Sequence, residues 1–494
     1  MSYQIDYLAL APELVIIATL IGVLILDLFL PRNQKYWTAV LSVIGVSLAA
    51  VPLVLLAVDG TTRSMFDGSY VVDTFALVLK GLFLVAGYLV LLMSVSYIES
   101  DRYYQGEYYF LLLSSILGSL VMASSRDLIV LFIGLELTTA PLFLLAGFRK
   151  GDAKSNEASL KYYILGVLST ALLLFGMSLL FGLTGEVQFD AVREKVAALG
   201  DSPALGVAVL LMLVGFGFKV SSVPFHFWAP DTYEGAPTPV TAYLSVNSKA
   251  AGFVAMLIVL YRAVPDAANY WAPALWLMAA FSMTWGNLSA LRQRNIVRLL
   301  AYSSIAQAGF MMVPFASAAV AGADLTEAFS ATVIYLAIYA VMNLGAFAVV
   351  IAVARKTGTG EIDGWAGLGS YSPRLGVLAT AFFFSLAGIP PLAGWFAKFV
   401  MFRSVIIAGG VATVVLAVIA AVNTVIALYY YARITKAVWL DPAPAEAAGD
   451  RDARTSGSLR LALGISAVLT LVVGIFPAIV TVFGDASKVL GAAG

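Results

Sequence analysis

Five residues of this chain have side chains that an apolar sequence has no ordinary use for: Glu136, Lys219, His226, Lys249 and Lys398. Each lies in or beside an apolar run of membrane-spanning length, where a charge costs about 3 kcal/mol or more and marks a functional site by default. They share one capacity, the uptake and release of a proton. Glu136 stands in LFIGLELTTAPLFLL. At about 1.5 Å per residue, its distance from Arg126 puts it roughly 15 Å into a core roughly 30 Å thick. A lone carboxyl in hydrocarbon takes up a proton, whereas a nearby cation holds it ionised. Lys219 is the natural partner. Such a pair works as a proton gate: pairing keeps the proton on lysine, and separation releases it. The plainer alternatives are an ion pair that pins two helices and a snorkelling cation.

Lys249 stands in TAYLSVNSKAAGF, near Tyr243, Ser245, Asn247 and Ser248. A lysine among hydroxyls and amides suits a hydrated relay, and equally a polar helix–helix contact. Lys398 follows Pro390 by eight residues and combines an ammonium with a helix break, whose freed carbonyls can bind a proton or water. His226, the chain's one histidine, lies two residues past Pro224. Imidazole passes protons readily near neutral pH, although a lone histidine in apolar surroundings is also a common core residue. Tyr335, Tyr339 and Asn343 recur on one face of a helix, as do Ser303 and Gln307. Those stripes suit a water file or interhelical hydrogen bonding. Glu13 and Asp27 are assigned to interface or subunit contacts, and Lys80 is left open.

The elements that hold these residues are membrane helices. Of the 494 residues, 61% are hydrophobic and 12% charged, against roughly 25% charged in soluble domains, and mean hydropathy is +0.93. The expected fold is an all-α polytopic membrane protein with about fourteen transmembrane helices. Their predicted ranges are 9–30, 36–58, 71–97, 107–124, 127–148, 158–183, 204–233, 238–262, 271–291, 296–319, 326–354, 373–407, 409–437 and 459–484. Tyr36 and Trp37, Tyr103 and Tyr104, and Tyr270 and Trp271 are expected interfacial anchors. SSVPFHFWAP (221–230) breaks the seventh span and SLAGIPPLAGWFAKF (385–399) the twelfth. The breaks lie five spans apart, and a unit with an odd number of spans reinserts upside down when repeated. Two inverted five-helix repeats follow, each with one discontinuous helix. The implied organisation is a three-helix segment (1–100), a first repeat (101–265, broken near 224), a second repeat (266–440, broken near 390), and a linker with the last helix (441–494). Loop lysines and arginines, Arg102 and Arg451 among them, concentrate on the side opposite the termini, which places both termini on the outer side. Asp441–Ser458 is the flexible linker.

Composition also excludes. Without cysteine there is no disulfide, thiolate metal site or iron–sulfur ligation, and one histidine rules out bis-histidine haem within the chain. Zero formal net charge gives no hint of nucleic acid. There is no P-loop, Rossmann fingerprint or HExxH motif, and MSYQIDYLALAPEL is not a cleaved signal peptide.

FHFWAPDTYEGAPTPVTAYLSVNSKAAGF (225–253) resembles the antiporter-like membrane subunits of bacterial proton-pumping NADH:quinone oxidoreductase, respiratory complex I. YEGAPTPVTAYLSVNSKAAG is similar to the subunit N branch rather than to L and M. RDLIVLFIGLELTTAPLFLLAGF (126–148), EASLKYYILG (157–166), RQRNIVRLLAYSSIAQAGF (292–310) and SLAGIPPLAGWFAKF carry the resemblance along nearly the whole chain, in the family's order. The resemblance implies fourteen helices and the inverted repeats. It also implies that Glu136 and Lys219 are the family's Glu/Lys pair, Lys249 the central lysine and Lys398 the terminal lysine of the second half, where subunit M has glutamate. His226 would lie in the hydrophilic connection between the halves. The subunit would hold no redox centre. NAD, FMN, iron–sulfur clusters and quinone would serve the whole complex, with sister antiporter-like subunits, small membrane subunits and a peripheral redox arm as partners, in the bacterial cytoplasmic (inner) membrane. The alternative is a subunit of a multi-subunit cation/proton antiporter, which looks similar around the broken helices.

Overall fold

Backbone groups in hydrocarbon have no water to bond, so apolar runs of this length are satisfied as helices. The computed structural model describes residues 5–99, 105–443 and 454–488 and is helical almost throughout. The first helices are α1 (Ala11–Phe29), α2 (Tyr36–Asp59), α3 (Thr74–Glu99), α4 (Gln105–Ala123), α5 (Leu128–Ala146), α6 (Ala153–Thr184), α7 (Phe189–Leu199), α8 (Pro203–Lys219) and α9 (Trp228–Gly235). Then come α10 (Thr238–Tyr243), α11 (Lys249–Ile258), α12 (Ala268–Leu291), α13 (Ile296–Ala321), α14 (Leu325–Thr357), α15 (Leu368–Tyr371), α16 (Pro373–Ala387), α17 (Gly394–Ala408), α18 (Val411–Trp439), α19 (Gly457–Ile475) and α20 (Ala478–Lys488). Thr238–Ala263 runs as one helix through α10 and α11, widened into π turns at Leu244–Ser248 and Val259–Ala263. Eleven helices among the described residues are long and apolar enough to cross a membrane. The protein is therefore an all-α polytopic membrane protein.

Both expected breaks are present, and each is satisfied from within. α8 ends at Lys219, where Ser221 adopts φ +59. The Ser222 N–H donates to Gly217 O at 2.9 Å, the Trp228 indole to Phe218 O at 3.1 Å, and the Val223 N–H to Ser282 Oγ of α12 at 2.9 Å. α16 ends at Gly388, whose φ of +92 is a left-handed cap that glycine adopts without strain. The Gly394 N–H donates to Ser385 Oγ at 3.1 Å and the Ala393 N–H to Thr470 O of α19 at 3.0 Å.

Glycine sets the closest helix pairs. A Cβ at Gly118 of α4 would collide with the Thr138 backbone and lie 2.8 Å from Gly134 O of α5. One at Gly286 of α12 would lie 2.6 Å from Ala306 N of α13. α14 is buried along nearly its whole length and is the hub of the bundle.

Several features depart from the sequence reading. An antiparallel hairpin, β1 (Arg63–Met65) and β2 (Tyr70–Val72), precedes α3. The amphipathic α7 fills a stretch read as a loop. The last span is split, because Pro477 contributes no N–H to continue α19. Glu13 is buried rather than at an interface: its Oε1 takes 2.8 Å and 2.7 Å contacts from Lys80 and Tyr70, which also gives Lys80 its partner. Asp27 pairs with Lys35 at 2.8 Å. Trp271 is no interfacial anchor; it is fully buried and stacks on Phe315 at 5.3 Å. Tyr103, Tyr104, Arg102, Arg451 and linker residues 444–453 lie outside the described residues.

Because the α4/α5 contact is backbone on backbone, Gly118→Leu should cost about 1–3 kcal/mol through overpacking. Less intact protein should be recovered, with a lower melting temperature by thermal-shift assay. Wild-type yield and melting would contradict this packing.

Candidate functional site

Asp127 starts α5 by accepting the Val130 N–H at 2.6 Å, and nine residues on Glu136 faces α6 and α8. Lys219 is the last residue of α8, so the break delivers its ammonium to the same place. Lys219 Nζ donates to Glu136 Oε1 at 2.8 Å, Thr139 Oγ1 at 3.1 Å and Thr170 Oγ1 at 3.4 Å. The Thr170 hydroxyl donates to Glu136 Oε1 at 2.9 Å. All three ammonium protons thus have acceptors. The Lys219 side chain is 2% exposed and that of Glu136 23%, so the carboxylate is the member of the pair that reaches the bundle rim.

Lys249 has a different partner. Its Nζ donates to Ser304 Oγ at 2.6 Å and to Ser304 O at 2.7 Å. Tyr339 of α14 donates to the same hydroxyl at 2.9 Å. Gly252, one turn beyond Lys249, packs on Lys219 with no room for a side chain. The wide turn before Lys249 holds Ser245, which accepts from Asn343 at 2.8 Å, and Asn247, which donates to Tyr243 at 2.6 Å.

One face of α13 continues from there. Gln307, one turn past Ser304, accepts from Tyr335 at 2.7 Å and donates to Leu386 O in the α16 break at 3.2 Å. The next carbonyl, Ala387 O, accepts from Lys398 Nζ at 2.7 Å, and this ammonium lies 5.0 Å from the Phe310 ring of α13. Ser304, Gln307 and Phe310 therefore line one edge between Lys249 and Lys398. Ser303 bonds Tyr431 instead, at 2.5 Å.

His226 is buried beside Phe227, with its ring 6.0 Å from Trp285 of α12. Its Nδ1 has no partner, and no hydrogen bond among the described residues joins it to Lys219 or Lys249. Ser169 Oγ, Ser221 Oγ, Tyr233 OH, Asn247 Oδ1 and Asn343 Oδ1 are likewise buried and unpartnered, and polar atoms in that condition are ordinarily met by water.

At the other end of the broken helix, Asp231 of α9 accepts from Lys161 of α6 at 2.6 Å and from Arg298 of α13 at 2.8 Å. Arg298 also reaches Glu234 at 3.0 Å, and Lys154 reaches Glu234 at 3.2 Å. Asp231, Glu234, Arg298 and Lys154 line an open cleft of about 120 Å³. Among the described residues no cluster of three or more His, Asp or Glu side chains is placed to hold a metal.

The family model described as "NADH:quinone oxidoreductase/Mrp antiporter, TM" matches residues 125–425, which contain all of this constellation. NADH-quinone oxidoreductase subunit N of Trichlorobacter lovleyi is 40% identical over 96% of this chain and 95% of its own. Subunit N of Moorella thermoacetica is 39% identical over 97% and 98%. The chain belongs to the subunit N family. A chain of respiratory complex I from Thermus thermophilus with bound aureothin superimposes with a TM-score of 0.77 at 32% identity, covering 95% of this chain and 98% of that one. As a member of this family the protein is an antiporter-like component of an NADH-quinone oxidoreductase.

Reading the sequence missed Ser304, Thr139, Thr170 and Tyr233. Thr139 and Thr170 are ordinary helix residues by type, and only packing shows which hydroxyls face an ammonium. Ser304 sits beside Ser303, which the spacing picked out and which makes an interhelical hydrogen bond to Tyr431; spacing alone gave no sign that Ser304 is the one facing Lys249. The α9 cluster had one sequence signal, the paired acids of DTYEG.

Arg298 is shared by two acids of α9, so Arg298→Gln should leave two carboxylates with weakened partners. Discounted for partial exposure, the expected loss is on the order of 1–2 kcal/mol. It should appear as a lower melting temperature of the purified complex, with a deficit that shrinks as added salt screens the ion pairs of the wild type. An unchanged melting curve would show that Arg298 does not hold α9.

Proposed function

We propose that this chain is the proton-translocating membrane subunit of an NADH:quinone oxidoreductase, and that Glu136, Lys219, His226, Lys249 and Lys398 carry the proton. The observation that carries the reading is the Lys219 ammonium, set at a helix break and held at 2.8 Å by a carboxylate that is itself partly exposed. Movement of either helix changes that separation and with it the proton affinity of Lys219. Lys249 lies on the helix that packs against Lys219, and the polar edge of α13 leads on to Lys398. In this account a signal arriving at Glu136 alters the pair, a proton passes toward Lys249 and then Lys398, and it leaves on the outer side. His226 takes its part through water at its open Nδ1.

Electron transfer from NADH through FMN and iron–sulfur clusters to quinone belongs, in this reading, to other subunits. Sister antiporter-like subunits and small membrane subunits are the direct partners, the bacterial inner membrane is the location, and both termini face outward. The fourteen-span count combines the eleven long apolar helices with α12 and the two broken pairs. The inverted repeats are supported by matching local geometry. Asp127 caps α5 and bridges to Gln188, while Asn295 caps α13 and bridges to Glu361. Gly118 seats α4 on α5 as Gly286 seats α12 on α13. We keep the units 1–100, 101–265, 266–440 and 441–494. A cation/proton antiporter subunit would share the broken helices; subunit N relatives at 39–40% identity over nearly the full length favour the redox-linked reading.

The test is Lys219→Ala, with Lys249→Ala in parallel, in membranes bearing the assembled enzyme. NADH-driven quinone reduction and the proton gradient are recorded together, with native gels to control for assembly. Both variants should assemble while pumping and coupled turnover fall about tenfold or more. Normal pumping by assembled enzyme would make these lysines structural and defeat the reading.

A further inference from the structure

Glu136 stands nine positions after Asp127, the cap of α5, and Ser304 stands nine positions after Asn295, the cap of α13. Each faces a lysine from the same step of its helix: Glu136 holds Lys219, and Ser304 holds Lys249. The acid of one half is matched by a hydroxyl in the other. A serine hydroxyl has one donor and two acceptor sites. Both acceptor sites of Ser304 are filled, by Lys249 at 2.6 Å and Tyr339 at 2.9 Å. Its own proton must therefore point elsewhere. α9, which carries Tyr233, packs against α13, and the hydroxyls of Tyr233 and of Ser221 in the break are buried without partners. Ser304 is six residues from Arg298 along α13, about 9 Å, so the cleft lined by Asp231, Glu234 and Arg298 opens about two turns from it.

We propose that Ser304 is the proton-exchange partner of Lys249, linking it through Tyr233 to the cleft at α9. This rests on the assignment of Lys249 to the proton route. In the step, an N–H bond at Nζ breaks as an O–H bond forms at Ser304 Oγ, and the proton the serine carried passes to a water on the Tyr233 side. Lysine becomes a neutral amine, the water becomes hydronium, and no electron moves. The reverse sequence reloads Lys249. A hydroxyl suits this exchange because it accepts and donates in one motion, whereas a carboxylate would hold the ammonium as an ion pair.

Four substitutions in the assembled enzyme test this, read as protons translocated per NADH oxidised alongside quinone reduction. Ser304→Thr keeps the hydroxyl and should pump as wild type. Ser304→Ala and Tyr233→Phe should assemble yet lose about tenfold in coupled pumping. Ser304→Asp supplies a counter-charge and should arrest pumping although Lys249 gains an ion pair. If Ser304→Ala does not assemble, Tyr233→Phe and Ser304→Asp decide. Normal pumping by Ser304→Ala or Ser304→Asp while Lys249→Ala is inactive overturns the role of Ser304 and leaves the proposed function standing. Normal pumping by Lys249→Ala as well removes both. Loss of pumping in Ser304→Thr equal to that in Ser304→Ala overturns the exchange role in favour of packing.

Discussion

An ammonium among apolar helices must find its acceptors inside the protein, because the surrounding medium offers none. That requirement organises the bundle. Lys219 and Lys398 both stand at helix breaks, where backbone and side-chain acceptors are within reach. Lys398 uses a carbonyl freed by the break itself, Ala387 O. Lys219 uses a carboxylate and two threonines from neighbouring helices. The breaks are tolerable because Trp228, Ser282, Ser385 and Thr470 satisfy the exposed backbone. Cations and breaks therefore solve each other's problem.

Two kinds of lysine environment result. Lys219 lies against a formal opposite charge, so its energy depends steeply on helix separation. Lys249 and Lys398 lie against neutral oxygens, which stabilise an ammonium less and hold it less firmly. In the proposed route, a first station that is an ion pair and later stations that are neutral suit a gate followed by a relay. The face of α13 that carries Ser304 and Gln307 gives the proposed relay a rigid edge, since both side chains are bonded on either side by α14 tyrosines and by lysine or backbone.

The charged cluster on α9 plays a complementary part. Asp231 and Glu234 belong to the short half of the broken helix, and their partners come from α6 and α13, one from each half of the chain. A helix of eight residues has little stability of its own. These ties, with burial of Trp228 and Tyr233, keep it in place. Elsewhere, the buried Glu13–Tyr70–Lys80 group roots the hairpin against α1 and α3, a structural use of ionisable residues outside the proposed proton line.

Much was legible in the sequence because hydrocarbon allows few solutions. Apolar runs of membrane length must be helices, prolines in such runs must break them, and mid-run charges must be special. On that basis Glu136, Lys219, Lys249, Lys398 and both breaks were readable, and Glu136 was matched to Lys219. Family wording added the subunit N assignment, which the relatives bear out. Rotation of each helix about its axis was left to tertiary structure. Rotation decides that Lys249 meets Ser304 and not Ser303, that Glu13 turns inward to Lys80, that Trp271 lies in the core, and that His226 faces α12 instead of either lysine. The physical reason is that a helix apolar on all sides carries almost no directional signal in its sequence. Its facing is set by small residues and hydroxyls on neighbours far along the chain.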